Sequence, residues 1–276
     1  MGIGIDNIEH HLHLFQGQNT SFPFQGWCEP IYAAMIRAYQ NDNGLTVTIG
    51  NDYIKNMITG EYRTNATYSP IETIIGRAGI EKISLHTTDI MLKNFPSLKP
   101  EDKKDLKDYL QYLFIELMNN VADHAHSAVG GYTMAQYFPS GRHIQFVVAD
   151  RGVGFLENMR LNYDDVSSEL DAIVRAFNKG VTSTRQTMYG AAKNAGFGLY
   201  AMLQIMLETG GKFVVISNGA MMRYNGEFDM IDLDVPWKGV IVAFEFDEAK
   251  INHDMDYFRN TYLWGEDLGE DEDFYS

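Results

Sequence analysis

The sequence predicts an α/β protein: a two-layer α/β sandwich with a mixed, largely antiparallel sheet and helices on one face, preceded by a small N-terminal α/β module. Three observations carry this. Apolar residues at helical spacing and at strand-like alternation interleave along the 276 residues. Tight turn signals, Asn218-Gly219 above all, join strands directly. After Pro100 the order is helix, strand, helix, loop, helix, strand, strand, which leaves the strands to pair antiparallel under a layer of helices. The expected division is residues 1–95 for the module, 100–250 for the main domain, and 251–276 for a C-terminal segment with an acidic tail.

The module reads as short elements. Trp27 to Gln40 carries Ile31, Ala34, Met35 and Ala38 at helical spacing. Leu45 to Ile49 alternates and is β-branched, a strand signal. Asn51 to Thr59 reads as a short helix, and Ile71 to Ile75 as either type. Pro96 and Pro100 mark the boundary. Pro100 suits the first turn of a helix, with Glu101 and Asp102 near its positive end. Leu106, Leu110, Leu113, Phe114, Leu117 and Val121 extend that helix to about His124. Arg142 to Ala149 is a strand, and Ser168 to Asn178 a helix stopped by Gly180. Leu199, Met202, Leu203, Met206 and Leu207 form the apolar stripe of another helix, ended by Gly210-Gly211. Lys212 to Ser217 and Gly239 to Phe246 are strands.

Composition bounds the function. Hydrophobic residues make up 45% and charged residues 21% of the chain, enough for a sizeable core. The start has no basic region followed by an apolar run, and no stretch approaches the ~20 apolar residues of a membrane span. The lone Cys28 has no disulfide partner, and a cytoplasmic location is expected. A net charge of -15 argues against a nucleic-acid partner, whose phosphates need a basic footprint. A small nucleotide remains compatible, held by backbone N–H groups and a cation. Glu266, Asp267, Glu270, Asp271, Glu272 and Asp273 form an acidic run, read first as solvated tail. His10, His11 and His13 read as a solvated strand or loop. Phe22, Phe24 and Trp27 read as an anchor for the module, with a homodimer contact as the alternative.

Three boxes carry the chemistry. In the first, Glu116, Asn120 and Asp123 lie within roughly 60° of one another at about 100° per residue, presenting two carboxylates and an amide on one helical face. An amide oxygen suits Mg²⁺, and a nearby carboxylate can orient or deprotonate water. Polar faces of surface helices look similar. The second is Asp150-Arg151-Gly152-Val153-Gly154-Phe155, at the end of a strand. Its glycines permit close backbone approach, and its carboxylate can accept from an exocyclic amine; a glycine turn with a capping Asp reads equally well. A dinucleotide turn would need a glycine where Glu157 stands. The third, Gly196-Phe197-Gly198-Leu199, opens a helix whose N–H groups can face an anion. Before it runs a polar stretch from Gly180 to Ala195, including Thr184 and Arg185, of a length typical of lids or disorder.

In this order, on these elements, the boxes resemble those of the GHKL superfamily, the ATP-binding fold shared by gyrase, a heat-shock chaperone, sensor histidine kinases and mismatch-repair ATPases. The resemblance covers roughly Pro100 to Asp247 and is nearest to the histidine-kinase-like branch. It implies that Asn120 ligates Mg²⁺ and that Glu116 is the general base. It also implies that Asp150 reads adenine beside Gly152 and Gly154, and that Gly196 and Gly198 lie beneath the phosphates. Arg185 is similar to a lid cation. The chain departs from the pattern in having Val240 where many relatives place threonine after the glycine of the closing strand, and in lacking a phosphoacceptor helix pair.

What the resemblance implies is a Mg²⁺-dependent ATPase, turning over slowly or using ATP as a switch for a regulatory protein partner. The alternatives are a serine protein kinase of anti-sigma type and a non-catalytic ATP-sensing module.

Overall fold

The structure, a computed structural model, describes residues 2–60, 66–93, 100–178, 181, 198–247 and 250. Its elements run in chain order from a 3-10 helix (Ile8–Phe15) through β1 (Ser21–Phe22), α1 (Pro30–Asp42), β2 (Thr48–Ile49), α2 (Asp52–Thr59), β3 (Glu72–Ile74) and α3 (Ile80–Lys93) to α4 (Pro100–His124). They continue with β4 (Gly131–Phe138), β5 (His143–Asp150), α5 (Phe155–Met159), α6 (Glu169–Ala176) and α7 (Gly198–Thr209), then β6 (Lys212–Ser217), β7 (Ala220–Tyr224), β8 (Phe228–Asp232) and β9 (Val240–Asp247).

The fold is α/β, as the sequence predicts. Seven strands form one sheet in the order β3-β4-β5-β9-β6-β7-β8, and every described pairing within it is antiparallel. The last strand, β9, lies between β5 and β6, with Ala149 opposite Ile241 and Ser217 opposite Val240. That insertion brings the C-terminal end of β5, the start of β9 and the end of β6 side by side, and the candidate site is built there.

Period-two alternation divides the central strands between two cores. Ile144, Phe146 and Val148 of β5, with Val242 and Phe244 of β9, face α3, α4, α6 and α7. Phe114 of α4 stacks flat on Phe146, with ring centroids 4.0 Å apart. Val147, Ala149, Ile241 and Ala243 face the other way, onto the 3-10 helix, α1 and α2. The helices of the main domain therefore keep to one face, as expected, but the N-terminal residues cover the opposite face and add a third layer. Other N-terminal residues lie elsewhere: β3 pairs with β4 at the sheet edge, and α3 packs along α4. A small parallel pair of β1 and β2 completes the described strands.

His10, His11 and His13 belong to the 3-10 helix rather than to a strand or loop, because Ile8, Leu12 and Phe15 recur at helical spacing and are buried. Phe22 is buried in the aromatic cluster with Phe15, Tyr32 and Tyr39, while Trp27 stays half exposed and stacks on Tyr53. Cys28 is buried and its thiol is pushed up to about 12 by burial. Among the described residues no helix is long and apolar enough to cross a membrane. Gly180 and the acidic tail lie outside the described residues.

Candidate functional site

Helix α4 spans 25 residues because Leu106, Leu110, Leu113, Leu117 and Val121 give it one continuous buried stripe. Packing that stripe on the sheet turns the Glu116–Asn120 face toward the ends of β5 and β9. Between them opens a cavity of about 850 Å³, counting its open mouth, lined by Glu116, Asn120, His124, Asp150, Gly154, Phe155, Gly198 and Leu199 together with apolar residues such as Val148, Met159 and Val242. Its lining has the character of a small-molecule site: mostly apolar walls with a few convergent polar groups.

Asp150 is a buried carboxylate in the wall of the site. Its Oδ1 accepts the Gly152 N–H at 2.8 Å and the Val240 N–H at 3.2 Å. No described donor reaches Oδ2. Burial raises the carboxyl from its ordinary value to about 6, against the pull of those two N–H groups and of Arg151. An acceptor on a cavity wall is free to take a donor from a ligand.

The glycines around Asp150 have specific steric reasons. A Cβ on Gly152 would lie 1.8 Å from the carbonyl oxygen of Ala125, just beyond α4. Gly154 has φ 88° and ψ −178°, a region essentially reserved for glycine, and a Cβ there would lie 2.2 Å from Asn218 Nδ2. Gly239, at φ 96°, passes so close that a Cβ would lie 2.5 Å from the Asp150 carbonyl oxygen. The turn is also tied by side chains. Asn218, at the β6–β7 hairpin, donates through Nδ2 to the Val153 carbonyl and to Glu169, and its Oδ1 accepts the Gly239 N–H. Ser217 Oγ accepts the Phe155 N–H and donates to Glu169. Asn158 donates to the carbonyls of His124 and Gly154, clamping the end of α4 to the glycine turn. Trp237 Nε1 donates to the Asp150 carbonyl at 3.0 Å.

Comparison with protein-family models, curated proteins and solved structures gives no match. The site is therefore read from its own residues.

Glu116 sits across the cavity, against the first residue of α7. A Cβ on Gly198 would lie 3.0 Å from both Cβ and Oε2 of Glu116, so the glycine makes room for this carboxylate. Burial raises Glu116 to about 7; Arg77 opposes that rise and Asp123 adds to it. A carboxyl near neutrality is matched to proton transfer at physiological pH. His124, one turn beyond Asn120, is lowered by burial.

Of the residues expected from sequence, Glu116, Asn120, Asp150, Gly154, Phe155, Gly198 and Leu199 line one cavity. Gly152 is not a lining residue; it packs on the Ala125 carbonyl and shapes the turn from behind. Asp123 also falls outside the lining. An opposite charge claims it: Arg77 donates through Nε at 2.8 Å and Nη2 at 2.6 Å to its two oxygens. Thr184, Arg185, Gly196 and Phe197 lie outside the described residues. Sequence reasoning missed Arg77, Asn158, Glu169 and Trp237. Only the Asn218-Gly219 turn signal pointed near any of this supporting network.

Proposed function

We propose that this cavity binds ATP with Mg²⁺ and that the protein hydrolyses it, slowly or as a regulatory switch, in the manner of a histidine-kinase-like member of the GHKL superfamily. The observation that carries the reading is Asp150: buried, one carboxylate oxygen held by two backbone N–H groups, the other without a described donor on a residue that lines the cavity. An exocyclic amine on a flat, apolar base is the donor that such a wall fits, and Val148, Met159 and Val242 supply apolar surface beside it.

The residues present fit a hard cation that accompanies phosphates. Asn120 would offer its amide oxygen to magnesium, which when bound neutralises phosphate charge, and oxygen donors are what that ion takes. Glu116 acts as the base: half-ionised near neutral pH, it takes a proton from an attacking water and holds that water in line. The apolar walls restrict other water. The Asn218, Ser217 and Glu169 network keeps the adenine end rigid, so binding does not have to order it.

The test follows γ-labelled ATP with full-length protein and Mg²⁺, wild type beside Glu116→Gln. Phosphate release that vanishes in the variant, with ATP still bound, supports hydrolysis through Glu116. Equal release from both proteins removes Glu116 as the base. Tight binding with no release from wild type leaves ATP as a switch ligand or as donor to a protein substrate.

A further inference from the structure

The lining of the cavity has a charge problem. Its described titratable side chains are Glu116, Asp150 and His124, and no Lys or Arg lines it among the described residues. A polyphosphate entering beside Glu116 meets like charge. Among the described residues, two charged side chains act on Glu116: Arg77, which attracts, and Asp123, which repels. Arg77 also acts on His124, whose side chain lines the cavity one turn beyond Asn120.

Arg77 comes from outside the 100–250 stretch. The β3–β4 pairing, with Ile74 opposite Gly131, and the packing of α3 along α4 bring the short segment 75–79 beside the last turns of α4. There Arg77 rests on Asp123 through Nε and Nη2. Nη1 donates to nothing among the described residues. The Arg77 side chain is 68% exposed and Asp123 29%, so the fork is bidentate but its guanidinium stays open to water and to a competing anion. The pair holds a guanidinium, pre-oriented, three residues along α4 from Asn120.

We propose that Arg77 is a specificity residue for the terminal phosphate: it is parked on Asp123 without nucleotide and turns to the γ-phosphate when ATP binds. This rests on the ATP reading above. A guanidinium fork matches phosphate oxygens in pairs, and a phosphate that carries more than one charge competes with the single charge of Asp123. Gly76 has open space around it and Gly79 sits at φ 93°, so the segment has room to adjust. ADP, lacking the terminal phosphate, gains nothing from Arg77.

Titration calorimetry on the full chain with Mg²⁺ tests this with ATP and ADP as separate ligands. Arg77→Ala is expected to weaken ATP binding roughly tenfold or more while leaving ADP unchanged, the loss of one charge-assisted contact. Asp123→Asn, which frees Arg77, is expected to strengthen ATP binding and again spare ADP. Arg77→Lys should recover part of the ATP preference. An ATP-to-ADP ratio unchanged in Arg77→Ala overturns the proposal while leaving the nucleotide site intact. Equal weakening of ATP by Asp123→Asn and Arg77→Ala makes the pair a structural clasp and also overturns it. Wild type that binds neither nucleotide removes the ATP reading and this proposal together.

Discussion

Replacing Asp150 with asparagine separates stability from binding, and the two effects have opposite signs. Asparagine mimics the protonated acid: its amide oxygen keeps the Gly152 and Val240 N–H groups, and its NH₂ replaces the open Oδ2. In the wild type, burial moves this carboxyl from 3.8 to about 6. Such a displacement of about two pH units corresponds to roughly 3 kcal/mol. Because the folded value is raised, the stabilisation is fully present below about pH 4 and is lost as pH rises through about 6. The variant has no charge to desolvate and escapes that loss. Its unfolding free energy relative to wild type should therefore climb by up to roughly 3 kcal/mol between about pH 4 and pH 6 and stay level above. Nucleotide binding moves the other way. An NH₂ facing an exocyclic amine replaces a charge-assisted bond with two opposed donors, so ATP affinity should fall about a hundredfold. Urea unfolding at several pH values, with calorimetry at pH 7, reads both. A stability difference that does not grow between about pH 4 and pH 7, with ATP affinity within about twofold, would refute the account of Asp150.

Other perturbations follow from the same geometry. Turnover should rise with pH through about 7, because Glu116 must be ionised to accept a proton and burial holds its folded value there; a pH–rate profile flat from 6 to 8 counts against it. Gly154→Ala combines a conformation reserved for glycine with a Cβ 2.2 Å from Asn218 Nδ2. It should cost about 2 kcal/mol or more of stability and weaken nucleotide binding, read by denaturant melts and calorimetry. Trp237→Phe removes the bond to the Asp150 carbonyl and the indole face under Arg151, which lies 4.4 Å from the ring centroid. A loss of about 2 kcal/mol is expected, and an unchanged melt contradicts that role.

What the sequence revealed followed from periodicity. Helices α4 and α7 and strand β6 were legible because each carries one clean apolar pattern ended by Gly, Pro or Asn-Gly. Helix α3 and strand β4 show the converse: Ser84, Thr87 and Thr88 are buried on α3, and Thr133 and Gln136 are buried on β4. Polar side chains inside the core break the pattern, even where one is satisfied, as by the Thr133 Oγ1 bond to the Val147 carbonyl. The third layer left a sign in the unbroken apolar runs of β5 and β9, which mark strands covered on both faces. The site divided the same way. Glu116, Asn120 and Asp150 lie in local motifs, whereas Arg77 meets Asp123 across 46 residues, and no local spacing announces such a partner.

The central claim is that this cavity holds ATP. Equilibrium dialysis of the full-length protein against labelled ATP with Mg²⁺ addresses it most directly. One ATP per chain, displaced by ADP and lost in Asp150→Asn, is the predicted result. No saturable binding at millimolar ATP, from protein whose fold is intact by circular dichroism, would contradict it.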